Sequence, residues 1–287
     1  MANWYTDRVT LKRSLNIPAS TTAGHVMLDS ALEGVSRLVD DYIGYGAFPT
    51  SAVRDFTARN ATCLYFKTPL LAVDSIVTDS SGNGSYGTTL STADYYLAPA
   101  NATAESPKRP FWEFESRYNA TALLPSGIKR GVRITGTWGY FDERSSPGVS
   151  ISTALTANAT TAKFANSSRL FVGMTLLIDA ERVGVTVNGK NGSDTATTSG
   201  IVGIQRGLNG SVGATHSSNS TVEYYTFPVI SNAVIFQAAQ DYRAKDAPLG
   251  FTGGQPFGSE EIKPRLSAGL HPFAKRMLDG FRVPEVR

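Results

Sequence analysis

Two stretches of this chain carry a helical apolar stripe, and they lie near its opposite ends. In Gly24–Ile43, the residues Leu28, Leu32, Val35, Leu38, Val39 and Tyr42 recur at spacings of three and four, with Asp29, Glu33, Arg37 and Asp40 off the stripe. In Pro228–Asp246, Ile230, Ala233, Val234, Phe236, Ala238 and Tyr242 make a second, broader face. An apolar stripe must be covered by another element, and each of these faces is wide enough to cover the other. A fold that satisfies both brings the two ends of the chain together.

The residues between the stripes read as strands and turns. Val53–Ala58, Cys63–Lys67, Leu71–Val77, Tyr95–Leu97, Phe111–Glu115 and Val132–Tyr140 have strand composition, and the last alternates Val132, Ile134, Gly136 and Trp138 against Arg133, Thr135, Thr137 and Gly139. Ser80–Tyr86 is turn chemistry, with Gly82 and Gly84 able to take positive φ. Residues 155–227 are built almost wholly of Thr, Ser, Ala, Gly, Asn and Val, with strands at Lys163–Phe164, Leu176–Ile178, Glu181–Val187, Gly200–Ile204 and Thr221–Tyr225. A short helix is expected over Thr6–Asn16, stopped by Pro18, and another within Leu266–Gly280, interrupted at Pro272. The expected fold class is therefore α+β: a small helical bundle built from both chain ends, with a β-rich region and an inserted β-module. The expected divisions are a helical hairpin over 1–50, a β-rich region over 51–148, the β-module over 149–227, a closing helix over 228–248 and a flexible basic arm over 249–287.

Little in the sequence speaks for catalysis. Charged residues are 18% of the chain and the formal net charge is only +3, so the whole molecule is no strong polyanion binder. Cys63 is the single cysteine, which excludes a disulfide within the chain, and its strand-like surroundings read as a small buried hydrophobe. The opening residues, MANWYTDRVTLKRSL, lack the apolar core of a signal peptide, and no apolar run is long enough to span a bilayer. His25, His216 and His271 are scattered without a partner at ligand spacing, so no metal and no cofactor is expected. Gly184–Asn191, GVTVNGKN, falls one residue short of a phosphate-binding loop and reads as a turn at Asn188–Gly189. Glu113, Glu115, Asp179 and Glu181 on strands, with Trp112, Tyr118 and Trp138 to stack on sugars, admit a glycosidase in principle, but such carboxylates commonly line a solvated face. The expectation is that the protein is not an enzyme.

The basic charge gathers at the C-terminus. Lys263, Arg265, Lys275, Arg276, Arg282 and Arg287 stand there against Asp279 and Glu285, with Leu270, Phe273, Met277, Leu278 and Phe281 among them. Cations interleaved with large apolar side chains read as an arm that grips a partner.

The order of these features resembles the head–tail connector (adaptor) proteins of tailed phages. The likeness lies in LDSALEGVSRLVDDYIGYGAFP (Leu28–Pro49), FKTPLLAVDSIVTDSSG (Phe66–Gly82), STADYYLAP (Ser91–Pro99), VRITGTWGYF (Val132–Phe141) and PVISNAVIFQAAQDYRAKD (Pro228–Asp246), about half the chain. The segment LFVGMTLLIDAERVGVTV, followed by GIQRGLNGSVGATHSSNSTVEYY, resembles a second recurring phage β-module, in which an I-D-x-E strand precedes an R-G-x-x-G-x-x-x-x-x-H turn. What the resemblance implies is a structural virion protein that assembles into a ring, usually of twelve copies, beneath the portal. It links capsid to tail and continues the channel through which DNA passes without sequence-specific contact. The implied partners are further copies of itself, the portal protein and a downstream neck or tail-completion protein, with no membrane. On this reading Lys263, Arg265, Leu270, Phe273, Lys275, Arg276, Met277, Phe281, Arg282 and Arg287 form a portal-binding arm. Ser80, Asn83, Ser85 and Tyr86 form a loop that meets a neighbouring subunit or neck protein. The alternative is a carbohydrate- or surface-binding β-protein of the tail.

Overall fold

The computed structural model of the protein describes residues 2–102, 109–140, 143–187, 199–244 and 269–284. The chain is mostly β, which corrects the expected helical bundle. Among the described residues, antiparallel sheets of six and seven strands form the body, and four α-helices form a layer upon it. The two amphipathic stripes are the strongest local signals in the sequence, whereas strand pairing is a long-range property that short windows undercount. Two of the three apolar clusters lie in the sheets.

The first sheet holds β1 (Thr50–Phe56), β2 (Cys63–Thr78), β3 (Thr88–Thr89), β4 (Tyr95–Ala98), β5 (Phe111–Ser116) and β6 (Val132–Trp138), in the order β1-β6-β2-β5-β4 with β3 on β2. The stretches expected as two strands, Cys63–Lys67 and Leu71–Val77, are one long strand. Its first half pairs with β5 and its second half with β6, and the register shifts between Tyr65 and Leu70, around Pro69. Side chains alternate across β6, so Val132, Ile134 and Trp138 face a core with Leu64, Phe66, Leu70, Ile76 and Phe114. Gly136 stands where a Cβ would lie 2.3 Å from the Ala72 carbonyl oxygen, so only glycine lets the two strands meet there.

The second sheet holds β7 (Arg144–Ser145), β8 (Ser150–Ile151), β9 (Thr161–Ala165), β10 (Thr175–Ile178), β11 (Glu181–Val187), β12 (Ser199–Gln205) and β13 (Val222–Tyr225). Their order is β7-β13-β10-β11-β12-β9-β8. A bridge between Ser150 and Thr221, and the Asn219 N–H donating to the Ile151 carbonyl at 2.7 Å, bring β8 to the start of β13. The sheet thereby curls into a small barrel, with the two-residue β7 left at its edge. Its interior is filled by Ile151, Phe164, Leu176, Ile178, Val183, Val185, Val202 and Val222.

The helices are α1 (Arg8–Ser14), α2 (His25–Ile43), α3 (Pro228–Ala244) and α4 (Pro272–Leu278). Asp7 caps α1, its carboxylate accepting the Thr10 N–H at 2.8 Å, and Gly44 in the left-handed region ends α2. Leu28, Leu32, Val35 and Val39 of α2 pack with Ile230, Ala233, Val234 and Ala238 of α3, so helices from both chain ends do cover one another. Strand β10 is buried on both faces: Leu176 and Ile178 point into the barrel, and Leu177 joins the helical core with Tyr225 and Phe227.

The first residues bind the layers together. Asn3 donates its N–H to Thr175 Oγ1, Trp4 its N–H to the Gly173 carbonyl at 3.0 Å and its indole N–H to Glu33, and Tyr5 its hydroxyl to Asp40. Gly173 has φ +89°, and a Cβ there would fall 2.0 Å from the Trp4 ring. Residues 3–5 thus form a strap running from the barrel to α2.

Candidate interaction site

The barrel contains a tight group of titratable side chains, Asp179, Glu181, Arg206 and His216. Strand β11 opens with Glu181, whose side chain is 1% exposed. Arg206, one residue beyond β12, grips it with Nε at 2.7 Å and Nη2 at 2.6 Å, a bidentate pair. The Gly207 and Ala214 N–H groups donate to the same carboxylate at 3.0 and 2.9 Å. His216 lies between two carboxylates, its Nε2 2.9 Å from Glu181 and its Nδ1 2.7 Å from Asp179. Burial pushes the Glu181 carboxyl up, but Arg206, the Ala214 N–H, His216 and the Gly207 N–H outweigh it and hold the group at about 2.

This is a clasp. The donors surround Glu181, and Arg206 also reaches the carbonyls of Thr156 and Ala214, so the whole turn Arg206–His216 is fixed to the β10–β11 hairpin. A general acid or base needs a pKa near the working pH, and a carboxyl held at about 2 does not have one. Among the described residues no group of three or more His, Cys, Asp or Glu side chains is arranged to hold a metal ion.

Local spacing rules pass over His216, because its partners lie 35 and 37 residues away. The signal that finds it is the module pattern itself: the D-x-E of Asp179–Glu181 and the R-G…H of Arg206–His216 are the residues that meet.

The other two carboxylates named for sugar hydrolysis, Glu113 and Glu115, lie on β5 of the first sheet. Glu113 accepts the Cys63 thiol across the β2–β5 pair, and burial together with that carboxylate pushes the Cys63 pKa up to about 11. Cys63 is therefore a half-exposed hydrogen-bond donor and not the buried hydrophobe the sequence suggests. Glu115 is exposed one step along the same face. Of the aromatic residues named for sugar stacking, Trp138 is fully buried, Trp112 packs on the helical core and Tyr118 is exposed.

The loop after β2 is held from within. The Asp79 carboxylate accepts the N–H groups of Ser81, Gly82 and Gly84 at 3.0, 2.8 and 2.6 Å. Burial pushes this carboxyl up, but the Gly84 N–H, the Ser81 hydroxyl and the other loop donors outweigh it and lower its pKa. Ser80, Asn83 and Ser85 are exposed around this nest. Tyr86 turns inward, donating to the Arg130 carbonyl at 2.7 Å beneath the Arg133 guanidinium.

The described part of the basic tail is folded onto the helical layer. Leu270, Ala274 and Leu278 are buried in its core, and the His271 N–H donates to the Gln237 side chain at 2.7 Å. Met277 and Phe281 are half-buried against the same core, and Phe281 lies 4.9 Å from the Tyr140 ring. Leu270 is thus an internal anchor and not available to a partner. Phe273 (51% exposed), Lys275, Arg276 and Arg282 face outward. Lys263, Arg265 and Arg287 lie outside the described residues.

Beside Phe273 runs an open groove of about 400 Å³ where α1, α3 and α4 meet, its lining shared between apolar residues such as Ile235, Phe236 and Met277 and the polar Ser14, Gln240 and Arg243. Its mixed apolar and polar lining makes it a candidate for contact with another molecule.

No protein-family model, no curated protein and no solved structure matches this chain. Among the described residues no helix is long and apolar enough to cross a membrane.

Proposed function

We propose that the protein is a structural subunit of a tailed-phage virion, a head-to-tail adaptor that forms a ring beneath the portal. Its partners in this reading are further copies of itself, the portal protein, a downstream neck protein and the DNA that passes through the channel. The observation that carries the proposal is the build of α4. Leu270, Ala274 and Leu278 root it in the core, while Phe273, Lys275 and Arg276 stand outward beside an open groove of mixed apolar and polar lining. A rigidly seated helix that presents an aromatic side chain among cations is suited to docking on another protein. The resemblance in the helical and first β segments supports the same reading. So does the use of Glu181, Arg206 and His216 as an internal clasp.

Negative-stain imaging of the full chain incubated with portal protein tests the proposal. End-on views should show closed rings seated on the portal. A chain that stays monomeric with the portal present overturns it. In the rings, Lys275→Glu together with Arg276→Glu, both exposed, should abolish portal attachment if the tail makes that contact.

A further inference from the structure

The imidazole of His216 stands between two carboxylates, with Nε2 2.9 Å from Glu181 and Nδ1 2.7 Å from Asp179. Ionised carboxylates accept hydrogen bonds and do not donate them, and Glu181 is held ionised by Arg206 and two backbone N–H groups. A neutral imidazole has one N–H and can donate to only one of the two. Both contacts together require a hydrogen on each ring nitrogen, so the ring in this clasp is a cation. The charged groups that face it are Asp179 in the β10–β11 turn, Glu181 on β11 and, across Glu181, Arg206. The segment 152–162, whose Leu155 bridges to His216, carries no charged side chain.

The two carboxylates differ in freedom. The Glu181 side chain is 1% exposed and the Asp179 side chain 60%. Asp179 sits in the two-residue turn between β10 and β11, at φ +53°, and can swing into water when its partner lets go. The Arg206–His216 turn also holds the barrel to its neighbours. Its Asn209 exchanges side-chain hydrogen bonds with Asn3 of the strap, and at Gly210 a Cβ would fall 1.9 Å from the Ser51 carbonyl oxygen of β1. Its Ser211 hydroxyl accepts the Arg182 N–H at 2.9 Å, and the Arg182 side chain reaches Ser51 Oγ at 3.0 Å.

We infer that His216 is a pH-sensitive latch on this turn. While charged, it ties the Arg206–His216 turn to the β10–β11 turn and keeps Asn209 and Gly210 seated on the strap and β1. As the pH rises the ring gives up one hydrogen. It keeps the one on Nε2, because the buried Glu181 has no water to turn to. The bare Nδ1 and the Asp179 carboxylate then repel, that contact is lost, and the turn loosens against the strap and β1. The latch acts within one chain, so it holds whether or not the chains form a ring.

Nuclear magnetic resonance of the full chain tests this. In a long-range proton–nitrogen spectrum at pH 6, both ring nitrogens of His216 should carry hydrogen, and at pH 9 Nδ1 should have lost it. Hydrogen-exchange protection of the Gly207 and Ala214 amides, corrected for the intrinsic rate, should fall about tenfold between the two pH values, while that of β6 stays level. Asp179→Asn should abolish the fall. Its amide oxygen accepts from the charged ring, its NH2 donates to the bare nitrogen, and asparagine tolerates the left-handed backbone there. A folded protein whose His216 carries hydrogen on one nitrogen only at pH 6 overturns the inference. So does protection that is equal at both pH values in the unaltered chain, or that falls equally in Asp179→Asn.

Discussion

Glu181 is a buried carboxylate in the barrel and Asp40 a half-buried one on α2, and their environments drive them in opposite directions. Glu181 is held at about 2, whereas Asp40 is raised to about 6. Burial pushes both upward, so the difference lies in what surrounds them. Glu181 faces a bidentate arginine, two backbone N–H groups and a histidine. Asp40 has the Tyr5 hydroxyl and one Arg37 nitrogen at 3.1 Å, and it shares its surroundings with Asp41 and Glu33. The number of donors aimed at a carboxylate, more than its depth, decides whether charge is stabilised inside this protein.

The two regions therefore respond to pH with opposite sign. The folded-state pKa of Glu181 lies below its ordinary value of 4.5, so its contribution is complete above 4.5 and is lost as pH falls towards about 2. That of Asp40 lies above its ordinary value of 3.8, so its contribution is complete below 3.8 and is lost as pH rises through about 6. Acid should loosen the barrel, and raising the pH through about 6 should loosen the strap on α2.

Removing the clasp gives the largest expected effect. Glu181→Ala leaves Arg206 buried without its partner and should cost about 3–5 kcal/mol in urea unfolding. A loss below about 1 kcal/mol means that the donors around Glu181 do not matter as argued. Gly173→Ala should come next. The added methyl collides with Trp4 at a positive φ, and a loss of about 2–3 kcal/mol is expected in thermal unfolding, with a red shift of tryptophan emission as the strap leaves its slot. Unchanged stability and emission place the strap elsewhere. Asp40→Asn sharpens the contrast from the other side. It should leave stability unchanged near pH 3.5, where Asp40 is largely protonated folded and unfolded, and raise it by about 2–3 kcal/mol at pH 8, read from paired denaturation curves. A variant less stable at pH 8 shows that the ionised Asp40 is well solvated by its partners. Smallest is Asp55→Asn in the first sheet, whose partners Arg130 and Arg133 are 75% and 38% exposed. About 0.5 kcal/mol is expected there, and a loss equal to that of Glu181→Ala breaks the distinction between clasped and solvent-screened carboxylates.

Much of this architecture is legible locally. Helix α2 occupies His25–Ile43 within the expected Gly24–Ile43, α3 begins at Pro228, and Pro272 opens α4 as a first-turn proline. Strand β6 begins at Val132 with the expected alternation. What short windows do not carry is pairing across distance. Nothing near Ser150 announces that it will meet Thr221, so the 149–227 segment reads as a module without revealing its closure into a barrel. The strap escapes notice for the same reason, since Trp4 means little until Gly173 and Glu33 are placed beside it. Leu270 looks like part of a free arm because its burial depends on α2 and α3, over 220 residues and about 30 residues earlier in the chain.

The account holds that the donors around Glu181 keep its buried carboxylate ionised and so maintain the barrel. A carbon-detected NMR titration of the Glu181 carboxyl, followed alongside near-ultraviolet circular dichroism, tests this most directly. The predicted result is a midpoint near 2, with the tertiary signal of the barrel lost over the same range. A Glu181 carboxyl that titrates at or above its ordinary value of 4.5, with the fold intact on both sides of the midpoint, contradicts it.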